Sequence, residues 1–367
     1  MEIDRRAFAR ALIAPLVVLP ATTPAAAVAL RDLVPGGWLI GVAINQNQSD
    51  GRDAIAVDLV TTHFNAISPE NLLKFQSVQP QPGAFTFDAQ DRYVAFGRDR
   101  GMAVIGHTLV WHSQTPAWVW AGRDGGLADR ATMLERMRTH ITTLVGRYKG
   151  QIRGWDVVNE ALNDDGTLRD SPWRRGIGDD YIAQAFAFAR QADPGAELYY
   201  NDYNLATRPE KRAGAIRIIR DLQQRGLRID AVGEQGHWRL ESPTTLEIDQ
   251  AISDLRATGL KVMVTELDVN LLPQAGPPTR GQPPPGSNPY ENGLPDDVQQ
   301  ALAKRYADAF RVFLKHRDDI TRVTFWGVSD GDSWLNRGRA NHPLLWDRQR
   351  QPKPAFNEVV RVLAGTA

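Results

Sequence analysis

Two glutamates stand where a soluble fold has little use for buried charge. Glu160 follows the run "IRGWDVVN" (152–159), in which Val157 and Val158 lead to an amide, Asn159, and then to the carboxylate. Glu266 interrupts "VMVTELDV" (262–269), a second apolar run that ends in acids. An isolated charge is expensive to bury unless it is paired or its pKa shifts. Carboxylates that close apolar strands therefore belong at the mouth of a cleft. A pair of them is what hydrolysis of a glycosidic bond requires: one acid protonates the departing oxygen, and one carboxylate attacks carbon or activates water. Amides at neighbouring strand ends can hold sugar hydroxyls, and tryptophan faces can stack on pyranose rings.

Such a pair needs a frame. After Trp38 the chain alternates short β-branched runs with longer amphipathic ones. The strand candidates are residues 38–44, 64–68, 103–111, 152–159, 197–202, 229–235, 262–269 and 322–330. Their near-continuous apolar character suits parallel strands buried on both faces. Helix patterns fill the gaps. Ile182, Ala185, Phe186 and Ala189 share one face, as do Ile248, Ile252 and Leu255 in a segment where Ser242 can cap and Gly259 stops the helix. Another pattern over 208–226 closes on Gly226. Eight strand-then-helix units predict an α/β fold, a single closed (β/α)8 (TIM) barrel. An open doubly wound sheet would call for a Gly-rich phosphate loop, and neither GxGxxG nor GxxxxGK[ST] occurs.

In a barrel, function gathers at the C-terminal ends of the strands. Those ends carry Glu70-Asn71, His107, Trp111, Asn159-Glu160, Asn201-Asp202, Gln235, His237, Glu266 and Trp326. A single strand-end glutamate is more often a loop charge or an ion-pair partner; two at the same barrel end favour catalysis. His107 and His112 are five apart on a strand and so point to opposite faces, which disfavours joint metal ligation. No metal and no cofactor is expected. Trp118, Trp120, Trp155 and Trp173 are read as packing residues.

Composition narrows the partners. The 367 residues are 42% hydrophobic and 23% charged, with 43 basic residues balancing 43 acidic ones. No net field attracts a polyanion, so nucleic acid is not an expected partner. The absence of cysteine excludes disulfides and thiolate chemistry. Residues 1–29 have the layout of a cleavable twin-arginine export signal: Arg5-Arg6, an apolar stretch from Ala11 to Leu19, then small residues. That stretch is too short and Pro-interrupted to hold a mature protein in a membrane. The expected location is periplasmic or secreted, with residues 30–367 forming one monomeric catalytic domain. Eight prolines in 273–295 mark a long stiff loop after the seventh strand, on the catalytic rim.

Taken with their order, the blocks "FNAISPENLLKFQSVQP", "GHTLVWHSQTPAW", "WDVVNEAL", "YYNDYN", "VGEQGHW", "VTELDV" and "VTFWGVSDGDSW" resemble family 10 glycoside hydrolases, the endo-1,4-β-xylanases, from about Leu39 to Leu363. The resemblance implies Glu160 as acid/base and Glu266 as nucleophile of a retaining double displacement on xylan and xylo-oligosaccharides. Asn159 would bind the 2-hydroxyl of the cleaved sugar, and His237, oriented by Asp268, would hydrogen-bond the nucleophile. His107 and Gln235 would complete the cleavage subsite, with Trp111 at its rim. Glu70, Asn71, Lys74 and Gln114 would hold the next xylose on the non-reducing side. Trp326 and Trp334 would close over the glycone sugars, and Tyr203 would lie toward the leaving group. Bulk at Trp334 and Gln114 would disfavour the hydroxymethyl of glucose. Glu234, often not acidic in this pattern, is expected to be a side-wall residue without a catalytic part. A β-1,4-glucanase or mannanase on the same barrel is the nearest alternative; a xylan-binding barrel lectin and a metal-dependent barrel hydrolase are more distant ones.

Overall fold

In a computed structural model, described over residues 28–273 and 287–366, nine parallel strands form one sheet that closes on itself. Most of the expected export segment and the centre of the Pro-rich loop lie outside the described residues. The strands are β1 (Leu39–Ile44), β2 (Ala66–Pro69), β3 (Ala103–Trp111), β4 (Gly154–Asn159), β5 (Glu197–Asp202), β6 (Ala231–Glu234), β7 (His237–Arg239), β8 (Lys261–Asn270) and β9 (Ile320–Phe325). Eight of them are barrel staves. β9 pairs with β1, and β6 pairs with the first half of β8, which completes the ring. The ninth, β7, has no place in the ring; it pairs with the far end of β8 through His237 opposite Asp268 and Arg239 opposite Asn270. Sequence patterning gives no sign of β7, because three residues are too few to display a period.

Helices cover the outside of the ring for the expected reason. Tyr181–Ala192 buries Ile182, Ala185, Phe186 and Ala189, and Thr245–Arg256 buries Ile248, Ala251, Ile252 and Leu255. Each large apolar side chain so buried stabilises the fold by roughly 1.5–3 kcal/mol. One cap differs from expectation. Thr244, not Ser242, begins the helix, because its hydroxyl accepts from the Glu247 amide while the Glu247 carboxylate accepts from the Thr244 amide, satisfying two free N–H groups at once. Gly226 and Gly259 do end their helices, at φ of 69° and 84°. Trp155 and Trp173 are fully buried, and Trp118 and Trp120 pack against the same core. No helix among the described residues is long and apolar enough to cross a membrane.

The strand ends fall slightly short of the sequence pattern. β9 stops at Phe325, so Trp326 begins the loop, and β6 stops at Glu234, leaving Gln235 just beyond it. Both residues thereby sit on the rim. The Pro-rich loop follows β8, as its position in the sequence requires, and its described end, from Ser287, is anchored where Arg339 donates to the Ser287 carbonyl and His342 to that of Tyr290.

Candidate active site

The C-terminal rim encloses a cleft of about 560 Å³. Fourteen of the fifteen residues proposed from sequence line it: Glu70, Asn71, Lys74, His107, Trp111, Gln114, Asn159, Glu160, Tyr203, Gln235, His237, Glu266, Trp326 and Trp334. The fifteenth, Asp268, is fully buried behind His237. Ser113, Asn204 and Arg337 join the lining without having been anticipated. His112 does not line it, in keeping with its opposite-facing position. Among the described residues no three His, Asp or Glu side chains are grouped to hold a metal ion.

Glu160 follows directly on β4 in a conformation its residue type rarely adopts, with φ of 57°. Its amide donates to the Asn201 carbonyl at 2.9 Å, which fixes that turn. The carboxylate then receives three donors: Trp111 Nε1 at 2.9 Å on Oε2, and Gln235 Nε2 at 3.0 Å and Asn159 Nδ2 at 3.3 Å on Oε1. Gln114, Asn204 and Arg337 also have φ in the left-handed region, so four of the five such non-glycine residues among the described ones line this one cleft. Backbone strain of this kind costs on the order of 1–3 kcal/mol per residue and persists where the surroundings over-determine it.

Glu266 lies within β8, buried, and lines the same cleft as Glu160. Asn201 Nδ2 donates to its Oε1 at 2.8 Å, and His237 Nε2 donates to its Oε2 at 3.2 Å. Burial pushes the Glu266 carboxyl up, but the His237 hydrogen bond and the charges of His237 and Lys74 help outweigh it and hold the group below its ordinary range. His237 owes its place to β7: pairing with β8 sets it opposite Asp268, and Asp268 Oδ1 accepts from Nδ1 at 3.0 Å. Burial alone would deprotonate this imidazole; Asp268 and Glu266 reverse that and raise its pKa to about 10. Trp334 Nε1 donates to the other oxygen of Asp268 at 2.8 Å. The Glu266 carboxylate, the His237 imidazolium, the Asp268 carboxylate and the Trp334 indole thus form one chain.

A second cluster flanks the pair. Lys74 Nζ donates to Asn71 Oδ1 at 2.9 Å and to Gln114 Oε1 at 2.8 Å, and lies 5.0 Å from the centre of the Trp111 ring. Burial lowers the Lys74 pKa, opposed by the charges of Glu266, Glu70 and Glu160. Glu70, raised by burial, faces the same ammonium. This arrangement offers charged and amide groups in fixed directions to a ligand rich in hydroxyls.

Several supporting residues receive no role from sequence, although Asn201 is among the rim residues and Glu234 is expected as side wall. Asn201 bonds Glu266 and, at 2.9 Å, Asn159 Oδ1, so it joins both sides of the cleft. Its position in "YYND", at the end of β5, was the available signal. Asp156 holds His107 through Nδ1 at 2.9 Å from inside the barrel, where nothing in a β-branched run marks it. Arg169 Nη2 donates to the Tyr203 hydroxyl at 3.0 Å and Nε to the Glu160 carbonyl at 3.2 Å. Glu234 is outside the cleft lining; its buried carboxylate accepts from the amides of Leu205 and Ala206 and from Trp238 Nε1, pinning the loop that carries Tyr203 and Asn204.

The sequence matches the model of Glycosyl hydrolase family 10 over residues 29–362. It is 40% identical over 356 residues to endo-1,4-beta-xylanase A of Xylanibacter ruminicola, covering 92% of this chain and 96% of that one. It is 39% identical over 345 residues to an endo-1,4-beta-xylanase of Geobacillus stearothermophilus, covering 91% and 98%. Among solved structures, a GH10 endoxylanase retrieved from sugarcane soil metagenome superposes with a TM-score of 0.85 at 40% identity, over 92% of this chain and 99% of that one. With the closed barrel and its paired rim glutamates, these matches establish that the chain belongs to glycosyl hydrolase family 10.

Proposed function

We propose that the chain is a retaining endo-1,4-β-xylanase that cuts internal bonds of xylan and xylo-oligosaccharides by double displacement. The observation that carries this reading is the asymmetric pair. Glu266 is buried, stripped of water and yet held ionised by an imidazolium, which suits a nucleophile. Glu160 is held by neutral donors only, Trp111, Gln235 and Asn159, which suits a group that must carry a proton and later accept one. In the first step Glu266 attacks the anomeric carbon while Glu160 protonates the departing oxygen. In the second, Glu160 takes a proton from water, and the hydroxide equivalent displaces Glu266 from the sugar.

Xylan as the substrate class is favoured by the names of the relatives and by the crowding of the Lys74 side. Gln114 is tied to both Lys74 and Asn71, and Trp334 is fixed through Asp268, so neither readily makes room for a hydroxymethyl group. Such exclusion is worth only about 1–3 kcal/mol, so slow turnover of glucose-based aryl glycosides is compatible with it. Product analysis on xylan and on carboxymethyl cellulose, with wild type and Glu266→Ala in parallel, tests the proposal. Oligosaccharide release from xylan by wild type alone is expected; preferential release from carboxymethyl cellulose would reassign the substrate.

Residues 1–29 are proposed as a cleaved twin-arginine signal, leaving residues 30–367 as one monomeric domain in the periplasm or medium, with no nucleic acid or membrane partner. The mature N-terminus, read from fractionated cells with and without twin-arginine translocation, tests this.

A further inference from the structure

The loop that leaves β5 forms one wall of the cleft, and two buried charged groups outside the cleft lining grip its backbone from both sides. Tyr203 and Asn204 are the lining residues of this loop. Arg169 joins the Tyr203 hydroxyl to the backbone carbonyl of Glu160. The wall therefore stands beside the group that protonates the departing oxygen, and it faces the leaving sugar. We propose that Glu234 is a positioning residue for the leaving-group side of the cleft, acting with Arg212 through the peptide groups of Leu205 and Ala206. The inference rests on the xylanase reading above and adds to it a residue that governs how the departing sugars are held.

Asn204 is the strained point of this wall. Its φ of 60° is left-handed, a conformation that a residue with a side chain holds only when its surroundings impose it. Its own side chain makes only long contacts, at 3.4 and 3.5 Å to Asp164. What fixes the turn is the chain that follows. Glu234 Oε2 accepts from the Leu205 amide at 2.7 Å and from the Ala206 amide at 3.2 Å. Arg212 Nη1 donates to the carbonyls of the same two residues, at 2.8 and 3.4 Å. Each charged group is itself anchored: Trp238 Nε1 donates to Glu234 Oε1 at 3.3 Å, and Arg212 Nε donates to Asp254 at 2.8 Å. Glu234 is only 6% exposed, and burial raises its pKa against neutral donors, the Trp238 indole and the amides of Leu205, Ala206 and Gly236. Filling a side wall needs no charge, and an apolar side chain of that size avoids the desolvation cost. The carboxylate instead satisfies three N–H groups from one place, two of them on the peptides that set Asn204. Glutamine cannot do the same. It has one acceptor oxygen, so its NH2 group must face either the indole N–H or the loop amides.

Two substrates separate positioning from support of the fold. Xylotetraose cut at its middle bond places two sugars on the leaving-group side, whereas β-xylobiosyl fluoride has a one-atom leaving group that asks nothing of this wall. The readout is the ratio of kcat/KM on xylotetraose to kcat/KM on the fluoride. Glu234→Gln should lower that ratio about 10-fold, the size of one charge-assisted hydrogen bond, while the value on the fluoride stays close to that of wild type. A merely structural Glu234 would reduce both values together through loss of folded enzyme. Arg212→Lys keeps the charge but loses the planar fork, so it should lower the same ratio by a smaller factor, and it serves as the test if Glu234→Gln does not fold. Equal losses on the two substrates, or an unchanged ratio in whichever variant folds, overturns the proposal. A wild type that cuts neither substrate refutes the xylanase reading itself, whatever the variants do.

Discussion

Replacing Asp268 by Asn tests the charge chain behind Glu266 with almost no change of shape. The rise of the His237 pKa from 6.5 to about 10 corresponds to roughly 5 kcal/mol of preference for the imidazolium, of which Asp268 supplies the largest favourable share. About a fifth of the imidazole side chain faces the cleft, so water discounts that figure, and a loss of about 1.5–3 kcal/mol on substitution is the reasonable expectation. Asn has one acceptor oxygen where Asp268 uses two, at 3.0 Å for His237 and 2.8 Å for Trp334, so one donor is left facing an NH2 group. His237 then titrates at lower pH, and Glu266 loses part of what holds it ionised. The kcat/KM on xylan should fall roughly 10- to 150-fold at neutral pH, and the acidic limb of the pH–rate profile should move upward. Initial rates on a soluble xylan from pH 4 to 10 measure both. A loss under about threefold with an unmoved acidic limb would refute the assignment of Asp268 as the group that sets the charge on His237.

Three further outcomes follow from the same geometry. Glu160→Ala should cut turnover of xylan severely while sparing the first step on an aryl glycoside whose leaving group needs no proton; stopped-flow release of the aryl alcohol reads this, and equal losses on both substrates would count against Glu160 as the acid. Lys211→Met should destabilise the fold by about 3–5 kcal/mol in urea unfolding, because it strands the fully buried Asp202, 3.0 Å from the ammonium; a loss below about 1 kcal/mol would contradict a functioning ion pair. For pH, the folded-state pKa of His237 lies above its unfolded value, so its contribution to stability is complete below about 6.5 and disappears as pH rises to about 10. Wild type should therefore lose stability across that window more steeply than Asp268→Asn, as measured by urea unfolding at a series of pH values.

The barrel and most of the cleft were legible in the sequence because both rest on strong local signals. Continuous apolar runs mark buried parallel strands, and a polar residue terminating such a run has few explanations besides a rim. Glu160, directly after β4, is found that way; Glu266 and His107 show instead as polar breaks inside apolar runs, and Trp326 as an aromatic just past one. The supporting residues are less visible. Asp156 sits mid-strand and is placed by the barrel's closed interior, where it meets His107 from below. Asn201 looks like any strand-end amide until three strands converge on it. β7 exists because Asp268–Asn270 at the end of β8 offers a free edge after β6 has paired with its beginning, a fact of closure that no local pattern encodes. Thr244 displaced Ser242 as a cap because Glu247 completes a reciprocal box only from Thr244.

The central claim is that Glu266 forms a covalent bond to the sugar. A 2-deoxy-2-fluoro xylobioside with an activated leaving group slows the second step, so the enzyme should accumulate as an adduct. Proteolysis and mass spectrometry of the trapped protein should place one added xylobiosyl unit on the peptide containing Glu266, and on that side chain by fragmentation. An adduct on any other residue, or complete turnover without one accompanied by inversion at the anomeric carbon, would contradict the account.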